Sequence, residues 1–172
     1  MKKIAIFGST GSIGSSLVKI IKDDKKNFKI ELITANKNYK KLIKQAKFFK
    51  VKNLVITDYK SFLIATKILK NTQIKVFKNF DSLNKIFNSS IKIDYSMCAI
   101  SGFQGLKPTL EIIKFTKTIA IANKESIICG WNFIKKDLKK YKTYFIPVDS
   151  EHFSIWSLLD NNKKNNFEKI YI

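Results

Sequence analysis

The sequence predicts an α/β protein built on a doubly wound parallel sheet, and three observations carry that prediction. Short apolar runs alternate with amphipathic runs of helical period along the chain, joined by connections of a few residues. The central apolar runs are continuous rather than alternating, as strands covered on both faces are. A glycine-rich turn follows the first apolar run directly and opens the first helix.

In chain order, KIAIF (3–7) reads as a strand and SIGSSLVKIIKD (12–23) as a helix. KIELITA (29–35) is strand-like, and residues 39–50 have helical period. NLVIT (53–57) is a strand, followed by a helix over 61–70. IKVF (74–77) is a short strand and DSLNKIFN (81–88) a short helix. IDYSMCAI (93–100) is a strand, then 105–116 a helix with Pro108 in its first turn, where a missing N–H costs little. KTIAIA (117–122) is a strand and 126–141 a helix. TYFIPV (143–148) is a strand, HFSIWSLLD (152–160) begins a helix, 160–168 is a polar loop, and KIYI (169–172) is strand-like.

The 172 residues, 45% hydrophobic, suffice for one sizeable domain or one domain and a piece of another. No apolar run approaches the ~20 residues of a membrane span. The opening apolar stretch runs into glycines and is too short for a signal sequence. A cytoplasmic protein is expected. Cys98 and Cys129 lack metal or redox spacing and read as buried reduced thiols. The net charge of +20 raises a nucleic-acid role. Yet every basic residue is lysine, with none of the arginine that bidentate phosphate and base contacts favour, and the lysines are spread along the chain. Compositional bias accounts for the charge better than a specific nucleic-acid partner does.

GSTGSIG, Gly8 to Gly14, sits between strand and helix, where a Rossmann-like dinucleotide-binding turn belongs. Gly8 would allow the tight turn, Gly11 the approach of a pyrophosphate, and Gly14 the packing of helix on strand. Free N–H groups and the positive end of the helix dipole would hold the phosphates. The spacing is GxxGxxG rather than GxGxxG, and the plainer reading is a βα turn with glycines for geometry alone. The second strand ends TANKN, Thr34 to Asn38, without the carboxylate that an NAD ribose wants. Lys37, flanked by Asn36 and Asn38, suits a 2′-phosphate and favours NADP, although in so lysine-rich a chain its place there can also be chance.

Three further strand ends carry polar clusters. AISGFQGLKPTL (99–110) has glycines at a strand-to-helix turn. IANKES (121–126) places Asn123, Lys124 and Glu125 just past a strand. PVDSEH (147–152) sets Asp149 and Glu151 two apart, with Ser150 between them and His152, the lone histidine, beside them. If the strand extends that far, both carboxylates project together and a divalent cation would relieve their repulsion. The alternative is a helix start with Asp149 or Ser150 as N-cap.

Together GSTGSIG, AISGFQGLKPT, ANKES and PVDSEH resemble the 1-deoxy-D-xylulose 5-phosphate reductoisomerase family, in order and over the whole chain. That resemblance implies an NADPH-dependent enzyme of the non-mevalonate isoprenoid pathway. It would make 2-C-methyl-D-erythritol 4-phosphate by metal-assisted skeletal rearrangement followed by hydride reduction. Thr10, Gly11, Ser12 and Ile13 would then hold the cofactor phosphates. Asn36, Lys37 and Asn38 would line its adenosine end, with Asn36 where many members have glycine. Asn123 and Glu125 would touch the cofactor. Lys124, Ser150 and Glu151 would bind substrate, and Asp149 and Glu151 would be ligands of Mg²⁺ or Mn²⁺, with Lys124 close to the reacting oxygens. Residues 1–148 would form the NADPH-binding domain and 149–172 the start of an α/β catalytic domain. His152 is expected to support the helix start, and Trp131 and Trp156 to pack.

Family members are much longer and form homodimers. The third carboxylate ligand, the substrate-phosphate loop, the active-site lid and the C-terminal helical domain have no counterpart here. The expectation is a truncated or decayed reductoisomerase, or an NADP(H)-binding module paired with a second polypeptide. Alone it would bind NADPH with little or no turnover.

Overall fold

A computed structural model describes residues 1–87 and 93–160. Its strands are β1 (Lys2–Phe7), β2 (Phe28–Ala35), β3 (Asn53–Ile56), β4 (Lys75–Phe77), β5 (Ile93–Cys98), β6 (Thr116–Ile121) and β7 (Tyr144–Pro147). The helices that follow them in turn are α1 (Ser12–Asp23), α2 (Tyr39–Phe49), α3 (Tyr59–Leu69), α4 (Leu83–Ile86), α5 (Leu106–Ile113), α6 (Lys124–Tyr141) and α7 (Ser150–Asp160). The strands form one sheet in the order β4-β3-β2-β1-β5-β6-β7, parallel at every pairing. The chain winds outward from β1 to β4, then returns and winds the other way from β5. The switch point therefore lies between β1 and β5, where open α/β sheets bind their ligands.

Continuous apolar strands are explained by two cores. Ile4 and Ile6 of β1 face one side, with Ile21 of α1, Leu42 and Ala46 of α2 and Ala65 of α3. Ala5 and Phe7 face the other, with Leu83 of α4, Ile112 of α5 and Ile127 and Ile134 of α6. Successive strand residues point to opposite faces, so a strand that feeds both cores cannot alternate with polar residues.

Local chemistry sets the helix starts. Asn38, Asp58 and Asn123 accept N–H bonds from the third residue of α2, α3 and α6 respectively. Asn123 thereby begins α6 two residues before the apolar periodicity does. The helix expected over 105–116 ends earlier, because Thr116 already pairs with Ile93 in the sheet. The strand expected at 169–172 and the loop before it lie outside the described residues.

Both cysteines are free, but only Cys98 is buried. Ile127, Gly130 and Ile134 mark the inward face of α6, and Cys129 falls off that stripe, which corrects the expectation of burial for it. Burial pushes the Cys98 thiol up to about 12, despite a hydrogen bond with Thr109 that acts the other way. Trp131 packs on Phe145 with ring centroids 5.6 Å apart, and Trp156 on Phe153 at 5.7 Å. Among the described residues no helix is long and apolar enough to cross a membrane.

Candidate functional site

Two clefts open side by side at the carboxyl ends of the strands, over the switch point. The first, about 360 Å³, is lined by Gly8, Thr10, Gly11, Thr34 and Asn36 among others. The second, about 350 Å³, is lined by Ile13, Asn123, Lys124, Glu125, Asp149, Ser150 and Glu151. Ala99, Ile100 and Ser101, just past β5, wall both.

The glycine loop is built as its spacing suggested. Gly8 has φ +80°, and a Cβ there would stand 2.6 Å from the Ala99 carbonyl oxygen. A Cβ on Gly14 would stand 2.2 Å from the Gly8 carbonyl oxygen, so the first turn of α1 closes on the loop after β1 because this residue has no side chain. At Gly11 the nearest atom is 3.4 Å away and space beyond is open. Gly11 caps α1 without any side-chain hydrogen bond, so the N–H groups of the first turn are left for an anion. Thr10, Gly11, Ser12 and Ile13 form this helix start and none is buried; Thr10 and Gly11 line the first cleft and Ile13 the second.

Several residues that sequence reasoning missed hold the loop in place. The Thr34 hydroxyl accepts from Gly8 N–H at 2.9 Å. Gln45 of α2 accepts from the Ser9 hydroxyl at 2.7 Å and donates to the Ser9 carbonyl at 3.0 Å. Lys41 Nζ donates to the Thr10 carbonyl at 3.1 Å and to Ser15 Oγ at 2.6 Å. The signal was present for Gln45, which shares the buried face of α2 with Leu42 and Ala46. A polar side chain at an inward position must have a partner.

The turn after β2 carries Asn36, Lys37 and Asn38. Asn36 donates to Thr57 Oγ1 at 2.8 Å, and the Asn38 oxygen is engaged in capping α2. Lys37 is exposed. It stands near Asp58, whose carboxyl is held below its ordinary value first by the Ser61 backbone N–H, then by the Ser61 hydroxyl, with Lys37 adding to the effect.

In the second cleft Asn123 is a fastener. Its oxygen accepts from Ser126 N–H at 2.6 Å, and its amide donates to the carbonyls of Ile100 and Gly102 (2.7 Å to the latter). Asn123 is 4% exposed, and both its amide and its oxygen are engaged within the protein. Lys124 opens α6 with its ammonium 3.8 Å from Glu151 Oε1, and Glu125 follows it on the cleft rim.

The strand ends at Pro147, and Ser150 starts α7. The alternating-strand geometry considered for PVDSEH is therefore not what the backbone adopts. Asp149 caps the helix, accepting from His152 N–H at 3.0 Å, and its Oδ1 also lies 2.6 Å from His152 Nδ1. The two carboxylates still line one cleft, but unequally. The Asp149 side chain is 7% exposed and that of Glu151 49%. Asp149 Oδ2 is buried with no hydrogen-bond partner, an arrangement that suits a cation-binding oxygen. Burial pushes the Asp149 carboxyl up, but the His152 backbone N–H and imidazole outweigh it and the net shift is downward. Glu151 is also lowered, first by the Ser150 hydroxyl at 2.8 Å, then by its own backbone N–H and by Lys124. Both are thus ready ligands at neutral pH. Among the described residues no three His, Cys, Asp or Glu side chains converge.

Comparison with known proteins fits this geometry. Residues 4–130 match the family model of 1-deoxy-D-xylulose 5-phosphate reductoisomerase. The reductoisomerase of Pelagibacter ubique is 86% identical over all 172 residues, which cover 44% of that protein. The one from Wolbachia pipientis of Culex pipiens is 37% identical over 95% of this chain and 42% of its own length. The chain thus spans less than half the length of these relatives. Among solved structures, the Zymomonas mobilis reductoisomerase in complex with NADPH superposes with a TM-score of 0.78 and 32% identity, over 88% of this chain and 39% of that one. A reductoisomerase complexed with NADPH, fosmidomycin and magnesium gives 0.80 and 28%, over 88% and 37%.

Proposed function

The chain belongs to the 1-deoxy-D-xylulose 5-phosphate reductoisomerase family, and from that premise we propose that it forms the NADPH-binding part, and one side of the catalytic site, of an enzyme converting 1-deoxy-D-xylulose 5-phosphate to 2-C-methyl-D-erythritol 4-phosphate. The observation that carries this reading is the pair of clefts sharing one wall. A glycine loop suited to a pyrophosphate stands beside a carboxylate pair suited to a hard cation.

In this reading Thr10, Gly11, Ser12 and Ile13 hold the pyrophosphate with backbone N–H groups. Lys37 meets the 2′-phosphate, with Asn36 and Asn38 shaping the turn around it. Asn123 holds the shared wall, and Glu125 lies at the cofactor edge. Asp149 Oδ2 and Glu151 hold Mg²⁺ or Mn²⁺, and Lys124 and Ser150 face the substrate. When bound, the ion supplies Lewis acidity at the substrate oxygens during the skeletal rearrangement and NADPH supplies the hydride. Lys124 places positive charge on the oxygens that gain electron density and can donate a proton there. His152 keeps Asp149 Oδ1 engaged, so that only Oδ2 is offered to the cleft.

The domain division follows as part of the proposal, with residues 1–148 serving the cofactor and 149–172 opening the catalytic domain. A second reading, an NADP(H)-binding module that needs donor groups from elsewhere for turnover, is favoured because among the described residues no three His, Cys, Asp or Glu side chains are placed to hold an ion together. Homodimer formation, as in the family, and a cytoplasmic location belong to the same proposal. The lysines are taken to serve no specific nucleic acid.

Fluorescence titration with NADPH, and in parallel NADH, at moderate salt tests the reading. Saturable binding that prefers NADPH supports it. Absence of saturable binding to either removes it. Turnover of 1-deoxy-D-xylulose 5-phosphate by the purified chain would decide against the binding-module reading.

A further inference from the structure

We propose that Lys41 is a positioning residue of the glycine loop, acting on the pyrophosphate common to NADPH and NADH rather than on the 2′-phosphate that distinguishes them. The inference rests on the NADPH reading above and extends it to α2, an element outside the glycine motif.

Lys41 and Gln45 lie four residues apart, on one face of α2. Between them they engage two consecutive carbonyls of the loop, Gln45 that of Ser9 and Lys41 that of Thr10. Lys41 also binds the Ser15 hydroxyl in the first turn of α1, so one ammonium joins the loop to the helix that follows it. A carbonyl free to rotate toward the cleft would present negative charge to a phosphate. One held by α2 cannot, and the N–H groups at the start of α1 remain the groups offered. The Lys41 stem is half-buried, so its head is confined beside the loop instead of sampling solvent. Its own backbone N–H donates to Asn38, which places the clamp and the Lys37 turn on the same helix start. A solvated lysine of the kind abundant in this chain would not make two hydrogen bonds to the loop and to α1.

The test compares Lys41→Met, Lys41→Arg and Lys37→Met with the unsubstituted chain, by titration with NADPH and with NADH and by thermal melting without ligand. Methionine keeps the apolar stem and removes the donor. Arginine keeps charge and donors. Lys41→Met is expected to weaken both nucleotides by the same factor, roughly tenfold as for loss of charge-assisted hydrogen bonds. Its melting should stay near that of the unsubstituted chain, and Lys41→Arg should recover most of the affinity. Lys37→Met should weaken NADPH alone. Binding by Lys41→Met within about twofold of the unsubstituted chain overturns the proposal, twofold being well under one charge-assisted bond. So does a loss confined to NADPH, or a loss matched by lowered melting. If the unsubstituted chain binds neither nucleotide, the NADPH reading falls and this proposal with it. If it binds normally and only the Lys41 results fail, the NADPH reading stands.

Discussion

Ser9, at the floor of the glycine loop, is fully buried, and its N–H, hydroxyl and carbonyl all have partners. Asp149, at the floor of the neighbouring cleft, is nearly as buried and keeps one carboxylate oxygen without any. In the function proposed above the two regions solve different problems. A loop that binds with its backbone must have every polar group tied down except those aimed at the ligand. A cation site must do the opposite and leave oxygens unmet until the ion arrives. In the first region the neighbours are helices α1 and α2 and strand β2, all present and packed. In the second, two carboxylates stand beyond the end of β7, which among the described residues pairs with β6 alone and has Tyr144 exposed.

The largest effect that would break this contrast is expected at Gly14. The Gly14→Ala substitution puts a methyl 2.2 Å from a backbone oxygen, where no side chain can yield. A loss of about 3 kcal/mol or more is expected. Melting should fall by about 10 °C, and nucleotide titration should fail.

The next effect sharpens the contrast within the first region. Lys37→Ala should weaken NADPH by about 2 kcal/mol, roughly thirtyfold, and leave NADH unchanged. Equal losses for the two nucleotides would move Lys37 away from the 2′-phosphate.

In the second region Asp149→Ala removes a helix cap, at a cost of about 1 kcal/mol by urea unfolding at pH 7. The sign of its pH dependence follows from the lowered carboxyl. The stabilisation is present above the ordinary value of 3.8 and is lost as pH falls through the lower folded value. The cost of the substitution should therefore shrink toward pH 3, and a constant cost would mean that the charge plays no part.

The smallest effect on stability is expected for Glu151→Gln, an exposed position. It should leave melting unchanged yet weaken Mn²⁺ binding, read from the relaxation of water protons. Unchanged relaxation would separate Glu151 from the ion.

How far the sequence could be read differs along the same line. The glycine loop was legible because its constraints are local. Three glycines between a strand and a helix each answer to atoms a few residues away or on the adjoining strand. PVDSEH was legible as chemistry but not as geometry. Over six residues a strand end and a capped helix start use the same side chains, and the choice is made by where β7 stops pairing with β6. Asn123 was recognised, but its work on the carbonyls of Ile100 and Gly102 spans more than twenty residues and leaves no periodic trace. Lys41 was invisible among so many lysines, since nothing short of the fold brings it to Thr10.

The strip from Ala99 to Ser101 is anchored on one side by the Phe7 carbonyl, which accepts from Ala99 N–H, and on the other by the Asn123 amide. It belongs to both clefts at once. A ligand in either cleft would touch this one strip, so any shift of it on binding in the first cleft would be felt in the second. Such coupling would be reciprocal: whatever factor an occupant of the first cleft applied to affinity in the second would be returned to it, and each could be measured through the other.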